Sequence, residues 1–89
     1  MITLIKGTQA ACGTDASGAS IFGGAAAVRL VNTTATARVV TVVDSVVGST
    51  TIGSFTLLGN TVEFVEKKST EAIYAADASV FGAKVGYTN

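Results

Sequence analysis

Residues 51–68 read TIGSFTLLGNTVEFVEKK, and this stretch decides the fold because strand, turn and register can be read from it together. Gly59-Asn60 divides it, and a two-residue loop with Gly first fits the primed turns that match the twist of paired strands. The register that follows sets Leu57 against Val62, Thr56 against Glu63, Phe55 against Phe64 and Ser54 against Val65. One face then collects Phe55, Leu57, Val62 and Phe64, while the other carries Ser54, Thr56, Leu58, Thr61, Glu63 and Val65. A slip of one residue would destroy this segregation, because side chains alternate with a period of two. Facing aromatic rings contribute about 0.5–1.5 kcal/mol beyond the area they bury, so Phe55 and Phe64 are expected to hold the register. A lone hairpin is only marginally stable. Further strands must complete it.

Working outward, residues 2–5 form a short strand ended by Gly7. Residues 7–24 are rich in Gly, Ala, Ser and Thr, with Ile21-Phe22 as their only large apolar pair. They read as a long loop or arm, of the kind that is usually functional or disordered. Ile21-Phe22 would anchor it, on its own domain or on a neighbouring subunit. Residues 25–31 alternate as a strand, and Asn32-Thr33-Thr34-Ala35 turns the chain. Residues 36–43 are β-branched and apolar on both faces, which suits a central strand or one covered by a partner. After the hairpin, residues 66–71 form a dense charge cluster, read as a solvated strand end and turn with an electrostatic docking patch as the alternative. Periodicity does not decide between a short helix capped by Ser69-Thr70-Glu71 and running through Ala76 and a strand over residues 72–74. Along residues 80–87, Phe81, Ala83, Val85 and Tyr87 form the face expected to join the core, with glycines opposite leaving room for close approach. The expected fold is all-β, a small antiparallel sandwich or barrel of about six to seven strands with a long N-terminal arm.

Composition narrows the chemistry. The 89 residues suffice for one domain, and their 48% apolar content is mostly Ala and Val, with four Phe, two Tyr and no Trp. Such side chains build a thin core, which small domains often complete by oligomerisation or with a partner surface. Six basic residues balance six acidic ones, which favours association and argues against nucleic acid as a partner. No apolar run is long enough to span a membrane as a helix, and residues 1–6 do not make a signal peptide. The expectation is a soluble protein made in the cytoplasm.

Cys12 is the single cysteine and no histidine is present, so an internal disulfide, a cysteine zinc site and histidine-dependent triads are not expected. Glu63 and Glu66 are an odd number of residues apart and fall on opposite strand faces. Asp15 is one carboxylate among hydroxyls, too few hard ligands for calcium, and the glycines match no phosphate-binding loop. The expectation is a non-enzymatic protein with no cofactor, no metal and no small-molecule substrate.

Residues 28–32 (VRLVN), 39–42 (VVTV), 53–57 (GSFTL), 62–71 (VEFVEKKSTE) and 80–89 (VFGAKVGYTN) carry a family likeness. Over about residues 26–89 the chain resembles small virion structural proteins of tailed phages, particularly those infecting marine cyanobacteria. The resemblance implies a virion component, with capsid decoration or cement as its role and a tail or fibre component as the alternative. It implies the major capsid protein or further copies of the chain as partners, and no active site. The candidate contact residues are Ile21 and Phe22 in the arm, and Lys84 and Tyr87 near the other end.

Overall fold

A computed structural model describes residues 4–15, 18–45 and 50–86. It is all-β, and no α-helix occurs among these residues. The strands are β1 (Leu4–Ile5), β2 (Ala10–Ala11), β3 (Ala27–Asn32), β4 (Arg38–Val43), β5 (Thr51–Leu57), β6 (Val62–Glu66), β7 (Ala72–Ala75) and β8 (Val80–Gly86). One sheet runs β1-β8-β3-β6, with β2 also on β8, and the other runs β5-β4-β7; every strand pair is antiparallel. The shortest dimension, 19 Å, suits two sheets packed about 10 Å apart with side chains outside them. The fold is therefore an open sandwich of eight strands among the described residues, beyond the six to seven expected because the arm contributes β2, and residues 72–75 take the strand alternative.

The expected hairpin over residues 51–68 does not form. Both runs are strands, but β5 pairs with β4 and β6 pairs with β3, in opposite sheets. Phe55 lies opposite Val40, and Phe64 lies opposite Arg29. The reason is visible in the connection. Gly59 does not take the positive φ that a primed turn with Gly first requires; Asn60 does, at 56°, and the Asn60 amide donates to the Thr34 carbonyl at 2.8 Å. Held there, the chain crosses between sheets instead of folding back on itself. Gly59 is needed for room, since a Cβ at that position would stand 2.3 Å from the Ala35 carbonyl oxygen.

The crossover also changes which side of β6 is buried. Val28 and Leu30 are fully buried in β3, and their register partners Val65 and Glu63 share their side of the sheet. Val65 accordingly packs against the core. Val62 and Phe64 point to the opposite, outer face, where Phe64 remains 47% exposed. The same correction applies to the last strand. Val80 and Gly82 sit opposite Asn32 and Leu30 on the inner side, so Phe81, Ala83 and Val85 lie on the other side of the sheet, where Ala83 and Val85 are nevertheless buried as expected.

The core joins Val28, Leu30 and Val80 of one sheet to Val40, Leu57, Ile73 and Ala75 of the other, with Cys12 and Phe22 added by the arm. Central β4 behaves as its two-sided apolar pattern predicts: Val40 faces the main core, while Val43 joins a second cluster with Ala19 and Ala72. Asn32 closes one end. Its side-chain amide donates to the carbonyls of Thr36 (2.7 Å) and Leu57 (3.1 Å), and its Oδ1 accepts from the Thr34 amide and hydroxyl.

Two substitution pairs test this arrangement by thermal or chemical melting. Leu57→Ala should destabilise by about 2–5 kcal/mol and Phe64→Ala by roughly 1 kcal/mol or less, the reverse of what a Phe55/Phe64 hairpin demands. Gly59→Ala should destabilise by about 2–4 kcal/mol through its clash with Ala35. Gly53→Ala, where an added Cβ meets nothing within 4 Å, should be neutral or gain up to about 1 kcal/mol.

Candidate interaction surfaces

The arm is occupied with the chain's own sheets. Ala10 and Ala11 pair with Gly82 and Phe81, and the Cys12 amide donates to the Val80 carbonyl at 3.0 Å. The chain then reaches the other sheet, where the Ala75 amide donates to Gly13 O and Ser20 and Ile73 exchange two backbone hydrogen bonds. The edges of β8 and β7 are thereby satisfied on the same side of the sandwich.

Phe22 fastens the end of this arm. Its backbone takes a positive φ of 50°, a conformation that costs a bulky residue about 1–3 kcal/mol. Burying the ring, 8% exposed, in the core offsets that cost. The ring lies over Gly82, where an added Cβ would come within 2.7 Å of it. The room that glycine leaves on β8 is thus filled by the chain's own aromatic side chain.

A cleft of about 400 Å³ opens beside this turn, with Lys6, Thr8, Ser20, Phe22 and Lys84 among its walls. Lys84 Nζ donates to Gly23 O at 3.3 Å. Lys67 is itself buried, contrary to the solvated strand end expected for it. Burial lowers its pKa, Glu71 opposes that shift, and the charge of Lys84 adds to it. Alternation along β6 accounts for the position, since Lys67 follows Glu63 and Val65 on the inner side. That signal is usable only once β6 is known to pair with β3.

Exposed large apolar side chains occur on both sheets: Val39 and Ile52 on the smaller one, Leu58 just beyond β5, and Ile5, Val62 and Phe64 on the outer face of the larger sheet. Register places Ile5, Val85 and Ala83 on it, then Arg29, Phe81 and Val31, then Phe64 and Val62. Ile5 is 62% exposed at one margin, and Val62 and Phe64 are exposed at the other. Among the described strands, β5 and β6 each have a neighbour on one side only.

The contact residues expected from the sequence fall in different places. Phe22 is buried in the core, Ile21 is half-buried against the cluster of Ala19, Val43 and Ala72, and Lys84 lines the cleft. Tyr87 lies outside the described residues. Ile5, Val62 and Phe64 were not singled out as contacts, because local pattern alone assigned Val62 and Phe64 to the core. Among the described residues, no three His, Cys, Asp or Glu side chains gather as a metal site. Comparison with models of protein families, with curated proteins and with solved structures found no match.

Cys12 reports on the closure made by the arm. Burial pushes its thiol up from 9.0 to about 12, so at about pH 8 it should react with a thiol-specific reagent orders of magnitude more slowly in the native protein than in denaturant. The folded thiol keeps a proton that the unfolded one loses above pH 9.0. Its contribution to stability is therefore complete below that value and is lost as pH rises toward about 12, which melting curves across this window would register.

Proposed function

We propose that this chain is a non-enzymatic structural component of a tailed-phage virion, acting as a capsid decoration or cement protein. The reading rests on the resemblance over about residues 26–89, and the observation that carries it is the outer sheet face, with Ile5, Val62 and Phe64 exposed on a small domain of zero formal net charge. Exposed apolar side chains at the two margins of that face would be the points of contact.

The mechanism is physical. The apolar face is laid across the boundary between neighbouring capsid subunits, so that pressure from packaged DNA must break additional contacts before the shell opens. Burying a side chain the size of Ile5 or Phe64 contributes about 1.5–3 kcal/mol, and repetition over many copies multiplies a modest contact into a large bias toward the closed lattice. The partners are the major capsid protein and copies of the chain itself, and the working location is the virion.

Particles assembled without the protein should have normal geometry but release DNA at lower temperature, and purified protein added back should restore the midpoint. A double substitution of Ile5 and Phe64 by Ser should weaken that rescue while leaving the β-sheet circular dichroism unchanged. Particles that lack the protein, hold their DNA equally well and are missing tails or fail to adsorb would replace cement with a tail or fibre role.

A further inference from the structure

From the cleft beside the Phe22 turn we infer a binding site for carboxylates, with an acidic peptide segment of a partner protein as its occupant and Lys6 and Lys84 as its cationic walls. The site is independent of the virion reading, since it rests on the pairing of two strands and on the turn beside them.

Register brings the lysines together. Leu4 and Ile5 lie opposite Gly86 and Val85, and the Lys6 amide donates to Lys84 O at 2.8 Å, so Lys6 stands beside Lys84 on the neighbouring strand. Lys84 is opposite the fully buried Val28, which puts both side chains on the inner side of the larger sheet. The Lys6 stem runs over Gly86, where an added Cβ would come within 2.9 Å of its Cε. The Lys84 stem instead reaches the arm, where its Nζ donates to Gly23 O at 3.3 Å.

The fold's own charges do not balance this pair. Like charges at opposed positions on paired strands are destabilising, yet among the described residues no carboxylate pairs with either ammonium. The charge of Lys84 extends to buried Lys67, where it works against the second ammonium and Glu71 works for it. Three of the chain's six basic residues therefore form one row, Lys6 beside Lys84 and Lys84 within range of Lys67. A local rule broken in this way is characteristic of a functional site, and an anion between Lys6 and Lys84 removes the conflict.

The walls specify the anion. An ammonium carries three donors, so Lys84 keeps donors to spare after its bond to Gly23 O, and Lys6 has all of its own. The Ser20 hydroxyl accepts from the Phe22 amide at 3.1 Å, which leaves its proton to meet an incoming oxygen. At about 400 Å³ the cleft has the size of an organic ligand site and far exceeds an inorganic ion. Gly7 and Gly23 contribute bare, exposed backbone to its rim, which lets another main chain come close. Carboxylates on a peptide satisfy all of these features together.

Titration of the isotope-labelled full chain with a capped hexaglutamate peptide, followed by amide chemical shifts in NMR spectra, tests the site. Saturable shifts should centre on Gly7, Thr8, Gly23 and Lys84, and a capped hexaglutamine peptide should produce none. Lys6→Gln together with Lys84→Gln should weaken binding about tenfold or more. Arg29→Gln together with Lys68→Gln, which removes the same charge from residues that do not line the cleft, should change it less than about twofold. Melting curves establish that each variant is folded, and the shift map on the wild-type chain decides on its own if one is not. Glutarate, a free dicarboxylate, should bind at least about tenfold more weakly than the peptide. Shifts that fail to saturate or centre elsewhere, equal weakening by the two double substitutions, or glutarate binding as tightly as the peptide would each overturn the assignment.

Discussion

Asn32 is the constraint on which the rest of the structure depends. It ends β3 in one sheet, and its fully buried amide reaches Leu57 O at the end of β5 in the other sheet and Thr36 O in the loop that leads to β4. Its carbonyl oxygen meanwhile receives two hydrogen bonds from Thr34. Such bonds contribute only about 0.5–1.5 kcal/mol each when formed. A buried donor or acceptor left without its partner costs about 1–3 kcal/mol, so the geometry is enforced mainly by what would be lost. Gly59 against Ala35 and Asn60 against Thr34 tie the same two loops together.

This end closure explains why strands adjacent in sequence are not adjacent in space. A hairpin of β5 and β6 would have left β3 and β4 each without one of their present neighbours. Dividing the pair between sheets gives β4 a neighbour on each side, and it lets Leu57 and Val65 reach the same core from opposite layers. The apolar side chains that a hairpin would have buried, Val62 and Phe64, are displaced to the outer face. The exposed surface and the sheet order thus have one origin.

The two sides of the sandwich are also unequal. On the side of β7 and β8, the arm supplies backbone partners and inserts Cys12 and Phe22 into the core. On the side of β5 and β6, the crossover residues join the layers and no described strand covers either edge. A chain with 13% charged residues and no proline has little of the usual protection against edge pairing.

The sequence by itself determined the all-β class and most strand positions, because β-branched runs and period-two alternation are local properties, whereas the central place of β4 was one of two alternatives until the sheet order chose it. It also marked Gly59-Asn60 as a turn. Tertiary structure alone decided where that turn leads, because a primed hairpin and a crossover between sheets place similar demands on local sequence. The deciding partners, Thr34 and Ala35, lie more than twenty positions earlier in the chain. Once that choice was made, the side assignments of Phe64, Phe81 and Lys67 followed from register with β3. Phe22 likewise carries no local sign of its place over Gly82, since the two are brought together only when the arm closes the sandwich.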